Sequence, residues 1–364
     1  MDEQGVVRGS RARPVKVLIV DDSPLMRMML TDMLQGDSEI EVVGTANDAF
    51  MAREKIKALN PDVITLDVEM PKMDGIQFLR NLMRLRPMPV VMVSSLTQKG
   101  AEVTLEALQL GAVDFVSKPL TDLAQTFSNY ADELIMKVKA ARGAKVRAHD
   151  VPASLGRVAE SHEPGTATVT RGLLSARNSV IAIGASTGGT EAIKEVLLAL
   201  SADAPGVVVA QHIPEQFSHS FARRLDSICQ QTVTEAEDGA PIFPGHVYIA
   251  RGGKHLRVER RGGRLLCQID ESEPVNRHRP SVCVLFDSVA RTMGANALGV
   301  ILTGMGDDGA EGIKRMRQAG ALTIAQDEAS SVVWGMPGQA VKRGGIDEVL
   351  PLDRIGSRIN KAMA

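Results

Sequence analysis

The stretch "SVIAIGASTGGTEAIKEVLLAL", Ser179 to Leu200, decides the fold of the C-terminal half. A β-branched apolar run reads as a buried strand. A glycine-rich corner ends it, and a helix follows at once. Ser186 stands at the tip of that corner. A dinucleotide-binding loop would read G-x-G-x-x-G, and position 186 is Ser, so that reading fails. A Walker loop needs Lys after its last glycine, and Gly189 is followed by Thr190 and Glu191. What fits is G-x-S-x-G: Gly184, Ser186 and Gly188 between a strand and a helix, where small neighbours let a serine project. By itself the motif reads equally as a structural turn or as a nucleophile.

A serine nucleophile needs a base, and the base needs an orienting acid. His212 closes the strand "GVVVAQ" one βα unit after Ser186, on the same C-terminal sheet edge. Taken alone it reads equally as a helix-capping histidine. His149 and His162 fall in a linker, and His219 falls in a helix. His246 and His255 flank a hairpin-like section, and His278 sits in the basic loop "NRHRP". For the acid, "VILTGMGDDGAEGI" ends a buried strand in a glycine-rich loop carrying Asp307 and Asp308. Three strand ends thus bring Ser, His and Asp to one side of one sheet. Their chain order differs from the Ser-Asp-His order of α/β-hydrolases.

The rest of the C-terminal half keeps an α/β rhythm. "GVVVAQ", "ALGVILTG" and "ALTIAQ" read as strands, with helices starting near Thr187, Pro214, Ser281 and Asp308. The section "GHVYIARGGKHLRVERRGGRLLCQI" interrupts it with Gly-Gly turns and reads as a hairpin insertion.

The N-terminal half, 14–136, alternates strands and helices five times, which predicts a parallel sheet covered on both faces. Asp21 and Asp22 directly follow its first strand and Asp67 its third. Ser94 ends the fourth strand, and Lys118 follows the fifth. Such a sheet gathers strand ends at one edge. Three carboxylates, a hydroxyl and an ammonium would therefore share a pocket. Clustered carboxylates call for a hard divalent cation, most simply Mg²⁺. An Asp beside that ion, with a Lys opposite, suits acceptance of a phosphoryl group.

Between the halves, 137–177 holds eight Lys/Arg and three Asp/Glu with few large apolar residues, and reads as an exposed linker. Residues 1–13 read as a disordered tail. The chain has 364 residues and a formal net charge of only -2, so no strong field calls for nucleic acid or an anionic membrane. No apolar run reaches ~18 residues, and the N-terminus carries no secretory h-region. Cys229, Cys267 and Cys283 form no CxxC pair, which fits a reducing cytoplasm.

"VLIVDDSPLMR", "ITLDVEMPKMDG", "VVMVSS" and "DFVSKP" resemble the receiver domain of two-component response regulators. The resemblance implies a flavodoxin-like fold with Asp67 as phospho-acceptor. It makes Asp21, Asp22 and the Glu69 carbonyl metal ligands alongside Asp67. Ser94, Phe115 and Lys118 become the switch residues. "IGASTGG", "QHIP", "NRHRPSV" and "LTGMGDDG" resemble the catalytic domain of chemotaxis protein-glutamate methylesterases, the CheB family. That resemblance implies a Rossmann-like α/β methylesterase domain over 178–364. Ser186 would be the nucleophile, His212 the base, Asp308 the acid and the Met305 N–H an oxyanion-hole donor. Arg251 stands where that family commonly has Pro.

The implied substrate is a γ-glutamyl methyl ester on a methyl-accepting chemoreceptor, with receptor glutamine as a second substrate. The implied phosphodonor is a chemotaxis histidine kinase. The protein is expected to be a cytoplasmic monomer that neither binds nucleic acid nor inserts in a membrane. Ester hydrolysis is expected to need no cofactor. A DNA-binding regulator would need a short basic helix-turn-helix or winged-helix module after the linker, and no such module is present. A signalling scaffold on an inert hydrolase fold is the other alternative.

Overall fold

The computed structural model describes residues 13–95, 97–118, 123–144, 146 and 178–363. Residues 1–12 of the expected tail, and 147–177 of the expected linker, lie outside the described residues.

The N-terminal unit runs β1 (Val15–Val20), α1 (Pro24–Gln35), β2 (Ile40–Ala46), α2 (Ala49–Leu59), β3 (Val63–Asp67), α3 (Gly75–Leu85), β4 (Val90–Ser94), α4 (Gln98–Gln109), β5 (Asp114–Ser117) and α5 (Leu123–Arg142). All five strands are parallel, in the order β2-β1-β3-β4-β5. Helix starts follow local chemistry. Ser23, Asp48, Asp74 and Thr97 each accept a hydrogen bond from a first-turn N–H, and Pro24 fills a position that needs no donor. The chain order reverses at β1, so the loops after β1 and β3 open onto one crevice.

Two expectations change here. Arg13, placed in the tail, forms a two-pronged ion pair with Asp62 at 3.0 and 2.8 Å. The linker expected from 137 begins inside α5, which continues to Arg142. Its last turns bury Val138 and Ala141 in line with Leu134, because spacings of four and three residues share one helix face. The basic residues between them hid this apolar stripe in the sequence.

The C-terminal unit opens with β6 (Val180–Ala185), α6 (Gly189–Ala199), β7 (Gly206–Gln211), α7 (Glu215–Asp226), β8 (Thr232–Glu235) and β9 (His246–Ile249). A pair of strands, β10 (His255–Arg261) and β11 (Arg264–Asp270), leads to α8 (Val282–Met293). The chain then runs β12 (Ala297–Ile301), α9 (Ala310–Gln318), β13 (Leu322–Gln326), α10 (Met336–Lys342), β14 (Glu348–Leu350) and α11 (Leu352–Met363). Seven parallel strands form one sheet in the order β14-β13-β12-β6-β7-β9-β8. β6 is the central strand and the point where the order reverses, so the corner after it opens on the ligand-binding crevice of such a sheet.

The hairpin insertion is shorter than the sequence suggested. Only β10 and β11 form it, around Gly262-Gly263 at φ 57° and 80°. β9 instead joins the main sheet in parallel with β7, pairing Val247 with Val207. Val247 and Ile249 are fully buried there, a long-range outcome that no local pattern dictates.

The two units pack on each other through α4, which lies against α6 and α7. The Phe115 ring of β5 stacks on Phe217 of α7, centroids 4.5 Å apart and planes 25° off parallel. One buried apolar cluster runs through both units. Beside it the Thr187 hydroxyl donates to the Asp114 carboxylate. Lys137 of α5 supports that carboxylate: its ammonium lies 3.4 Å from Asp114 and 2.8 Å from Glu133, and donates to the Phe115 carbonyl at 2.6 Å.

The α5 extension is open to test. Val138→Asp should cost the N-terminal unit about 3 kcal/mol or more by burying a charge. A solvated linker residue would shift stability by less than about 0.5 kcal/mol in the same urea titration.

Candidate active site

β6 delivers Ser186 to the crevice and the turn fixes it there. The Ser186 N–H donates to the Thr303 carbonyl at 3.0 Å, and the Gly189 N–H closes the turn on the Ser186 carbonyl at 2.7 Å. Gly188 adopts φ 75°, a left-handed conformation that side chains resist. Gly304 passes so near that a Cβ there would sit 2.8 Å from Cβ of Ser186. The Gln211 amide donates to the Ser186 carbonyl at 2.9 Å and clamps the corner from β7.

His212 follows β7 directly. Its Nδ1 lies 3.1 Å from Ser186 Oγ, and its Nε2 lies 2.8 Å from Asp308 Oδ2. Asp308 follows β12 and is 1% exposed. It also accepts from Asn276 Nδ2 at 2.9 Å, Ser281 Oγ at 2.8 Å, Val282 N at 2.6 Å and Cys283 N at 3.2 Å. Burial alone would raise its pKa. The bonds from His212, Asn276 and Ser281 overcome that and hold it well below the usual carboxylate range. A permanent anion at Nε2 requires the proton there, which leaves the Nδ1 lone pair facing Ser186. The ring nitrogens are therefore used the other way round from the serine-protease template.

Asp307 turns away and pairs with Arg343. The Met305 and Thr187 N–H groups make no hydrogen bond among the described residues. Thr187 is the residue after the serine, whose N–H forms half of an oxyanion hole in elbow hydrolases.

Several contributors are not visible in the sequence. His278 lies flat on His212, centroids 3.6 Å apart and 13° off parallel. Burial, and then the His212 charge, push its pKa down to about 3, so it stacks as a neutral ring. Asn276 holds the acid. His255, fully buried, accepts the Ser281 N–H at 3.1 Å and contacts the Glu273 carbonyl at 3.1 Å, fixing the chain that supplies Ser281. The strand-end rule found the residues that follow strands. Asn276, His278 and Ser281 come from one irregular segment, 273–281, where no period points at anything, and His255 opens β10.

The second cluster lies at the N-terminal unit's crevice. Asp21, Asp22 and Asp67 bring carboxylate oxygens within 4.8 Å of one another. Lys118 Nζ lies 2.8 Å from Asp67 Oδ1 and 3.2 Å from Asp21 Oδ2. Asp67 Oδ2 is buried without a hydrogen-bond partner among the described residues. Burial, with Asp21 adding to it, pushes the Asp67 pKa up to about 6, against the pull of Lys118. Glu69 is exposed, and its N–H lies 3.3 Å from Asp67 Oδ1. Ser94 is fully buried at the end of β4, and Phe115 sits in the inter-unit stack.

Comparison with known proteins agrees with this two-part layout. Residues 17–127 match the response regulator receiver domain, and residues 181–359 match the CheB methylesterase family. A protein-glutamate methylesterase/protein-glutamine glutaminase of Xanthomonas oryzae pv. oryzae is 58% identical over 349 residues, covering 95% of this chain and 96% of the relative. This chain belongs to the CheB family. A relative of the same name from Hydrogenovibrio crunogenus is 52% identical, covering 95% of this chain and 98% of its own. Among solved structures, the Thermotoga maritima CheB methylesterase catalytic domain is 37% identical with a TM-score of 0.50. It covers 50% of this chain and 98% of its own. CheB membership accounts for the receiver unit and the methylesterase unit in one chain, and for their parallel sheets. No helix among the described residues is long and apolar enough to cross a membrane.

The raised Asp67 pKa has a measurable sign. In metal-free protein the fold favours protonated Asp67, so its contribution is full below about pH 4 and is lost as pH rises through about 6. Stability in EDTA should therefore fall by about 3 kcal/mol across that window, and Asp67→Asn should flatten the slope. Urea titrations of both proteins at pH 4 and 7 would measure it. Equal slopes would contradict it.

Proposed function

We propose that this CheB-family chain hydrolyses γ-glutamyl methyl esters on methyl-accepting chemoreceptors and that its receiver domain gates the reaction. The observation that carries the reading is the His212 ring, with Nδ1 on Ser186 Oγ and Nε2 on Asp308. Ser186 is the nucleophile, His212 the base and Asp308 the orienting acid. His212 Nδ1 takes the serine proton as Oγ attacks the ester carbonyl. Charge then develops on the carbonyl oxygen, where the free N–H groups of Thr187 and Met305 receive it. As the C–O bond to methoxide breaks, His212 returns the proton and methanol leaves. Water, deprotonated by the same Nδ1, attacks the acyl-serine and frees the glutamate carboxylate and Ser186. Receptor glutamine passes through a similar intermediate with ammonia as leaving group.

In the receiver, Asp67 accepts the phosphoryl group from a chemotaxis histidine kinase. Asp21, Asp22, Asp67 and the Glu69 carbonyl would hold Mg²⁺. The orphaned Asp67 oxygen and the three converging carboxylates suit a hard cation. Bound there, Mg²⁺ supplies charge neutralisation for a transferring phosphoryl group. Lys118 offers a second positive charge, and Ser94 a hydroxyl at the neighbouring strand end.

The gate runs through contacts beside the triad. Asp114 takes the hydroxyl of the residue next to the nucleophile, and Phe115 stacks on α7. The His212 side chain is only 9% exposed with the receiver in place. A receptor segment must reach it, so docked receiver inhibits. Phosphorylation of Asp67 moves Ser94 and Phe115, weakens the docking and opens the crevice.

Methanol release from methyl-esterified receptor membranes tests the chemistry. Wild type should release methanol, faster with Mg²⁺ and a small-molecule phosphodonor, and Ser186→Ala should be silent. Release that survives the alanine change would remove Ser186 from the mechanism. The gate has its own test. Asp114→Ala should raise the unphosphorylated rate about fivefold or more. An unchanged basal rate, with the receiver still phosphorylated normally, would mean this contact carries no inhibition.

A further inference from the structure

The segment that supplies Asn276 and His278 is a two-residue hairpin turn. Val275 and His278 exchange both backbone hydrogen bonds, at 3.1 and 3.0 Å. Asn276 and Arg277 occupy its centre at φ 53° and 68°. Turns of this kind need left-handed conformations at both central positions and strongly favour Asn-Gly. Asn276 fits that preference and uses it, because its amide reaches Asp308. Arg277 does not. A left-handed conformation is costly for an L-residue with a long side chain, and glycine would adopt it without strain. Strain of this sort persists where the surroundings enforce it, and its common location is a functional site.

Arg277 also differs from the other cations on this rim. Arg251 pairs with Glu215, and Lys254 pairs with Glu271. Arg279 donates to the carbonyls of Glu271 and Ser272, at 3.2 Å each. Arg277 is exposed and has no carboxylate partner among the described residues. Its neighbours on either side both touch the triad, so its backbone sits at the lip of the crevice. Its charge is felt by the His278 ring.

The proposed ester is neutral. A guanidinium beside it therefore has no charge to read on the reacting group. It can read a carboxylate elsewhere on the same substrate segment, and a guanidinium fork matches a carboxylate in two-pronged geometry. We infer that Arg277 is a specificity-determining residue that binds a carboxylate flanking the scissile glutamyl ester. This rests on the esterase reading above and adds the charge of the substrate segment. The strained turn fixes the backbone from which the guanidinium reaches a carboxylate of the substrate segment. An anionic segment also approaches a cationic lip faster, an effect that salt screens.

The test uses the full chain with Mg²⁺ and a phosphodonor. The substrates are a methyl-esterified receptor cytoplasmic fragment and a version with alanine at the carboxylates within one helical turn of the ester. Arg277→Gly should lose about tenfold in kcat/KM on the first fragment, the scale of one charge-assisted hydrogen bond. On the alanine version it should match wild type. Raising salt should slow wild type on the first fragment and leave the glycine variant unaffected. Because glycine relieves the turn, Arg277→Gly should melt no lower than wild type. Arg277→Lys, which keeps charge but not the fork, should fall between the two.

Equal losses on both fragments, or a lowered melting temperature, would make Arg277 a structural residue of the turn and overturn the inference. So would a wild type that cleaves both fragments equally well. A wild type silent on the native fragment would instead sink the esterase reading, and this inference with it.

Discussion

The catalytic half is organised around one buried carboxylate. Asp308 receives hydrogen bonds from His212, Asn276, Ser281 and the first two backbone N–H groups of α8. The donors come from three separate pieces of local structure. Asp308 therefore fixes the α8 N-terminus, the 275–278 turn and the β7 loop relative to β12. An anion at a helix N-terminus is favoured by the helix dipole and by unsatisfied N–H groups. The bonds that keep Asp308 ionised are thus also bonds that hold the crevice in shape. Removing the carboxylate would disturb the fold and the chemistry together.

A second carboxylate links the halves. Asp114 receives the Phe115 N–H within its own domain and the Thr187 hydroxyl from the other, with the Lys137 ammonium beside it. Lys137 is partly buried and its pKa is raised. Burial opposes its charge, but Asp114 and Glu133 overcome that. Buried pairs contribute little net stability when intact and cost several kcal/mol when one partner is lost. Such a contact suits a switch, because a small displacement of β5 changes the partners of Asp114 without unfolding either domain. Phe115 lies next to Asp114 in β5 and stacks on Phe217, so a movement of one is felt by the other.

Much of this was legible in the sequence, for a definable reason. In a parallel sheet, residues just after strands converge on one edge whatever the helices do. Asp21, Asp22 and Asp67 in one half, and Ser186, His212 and the loop carrying Asp307 and Asp308 in the other, could therefore be placed from strand patterns, while the choice of Asp308 came from the family resemblance. The parts that escaped do not follow strands. His278, Asn276 and Ser281 lie in an aperiodic segment whose position depends on a hairpin and on α8. β9 looked like part of that hairpin because strand pairing is a long-range choice. The α5 extension was masked because Lys137, Lys139 and Arg142 raise the polarity of a stretch whose alternate face carries Val138 and Ala141.

The stacked imidazoles follow from the same electrostatics. On the proposed mechanism His212 carries a positive charge for a moment during acyl transfer, with Asp308 at Nε2 to stabilise it. A second protonated imidazole 3.6 Å away would oppose that charge. His278 avoids this because burial, and repulsion from His212 itself, keep it neutral far below working pH. On that mechanism the pair carries at most one positive charge, on the ring that faces Ser186. A flat neutral ring also restricts rotation of His212 about its side-chain bonds, so Nδ1 stays aimed at Oγ. Phenylalanine at 278 would preserve the stacking and the neutrality, whereas alanine would leave one face of the base open to water.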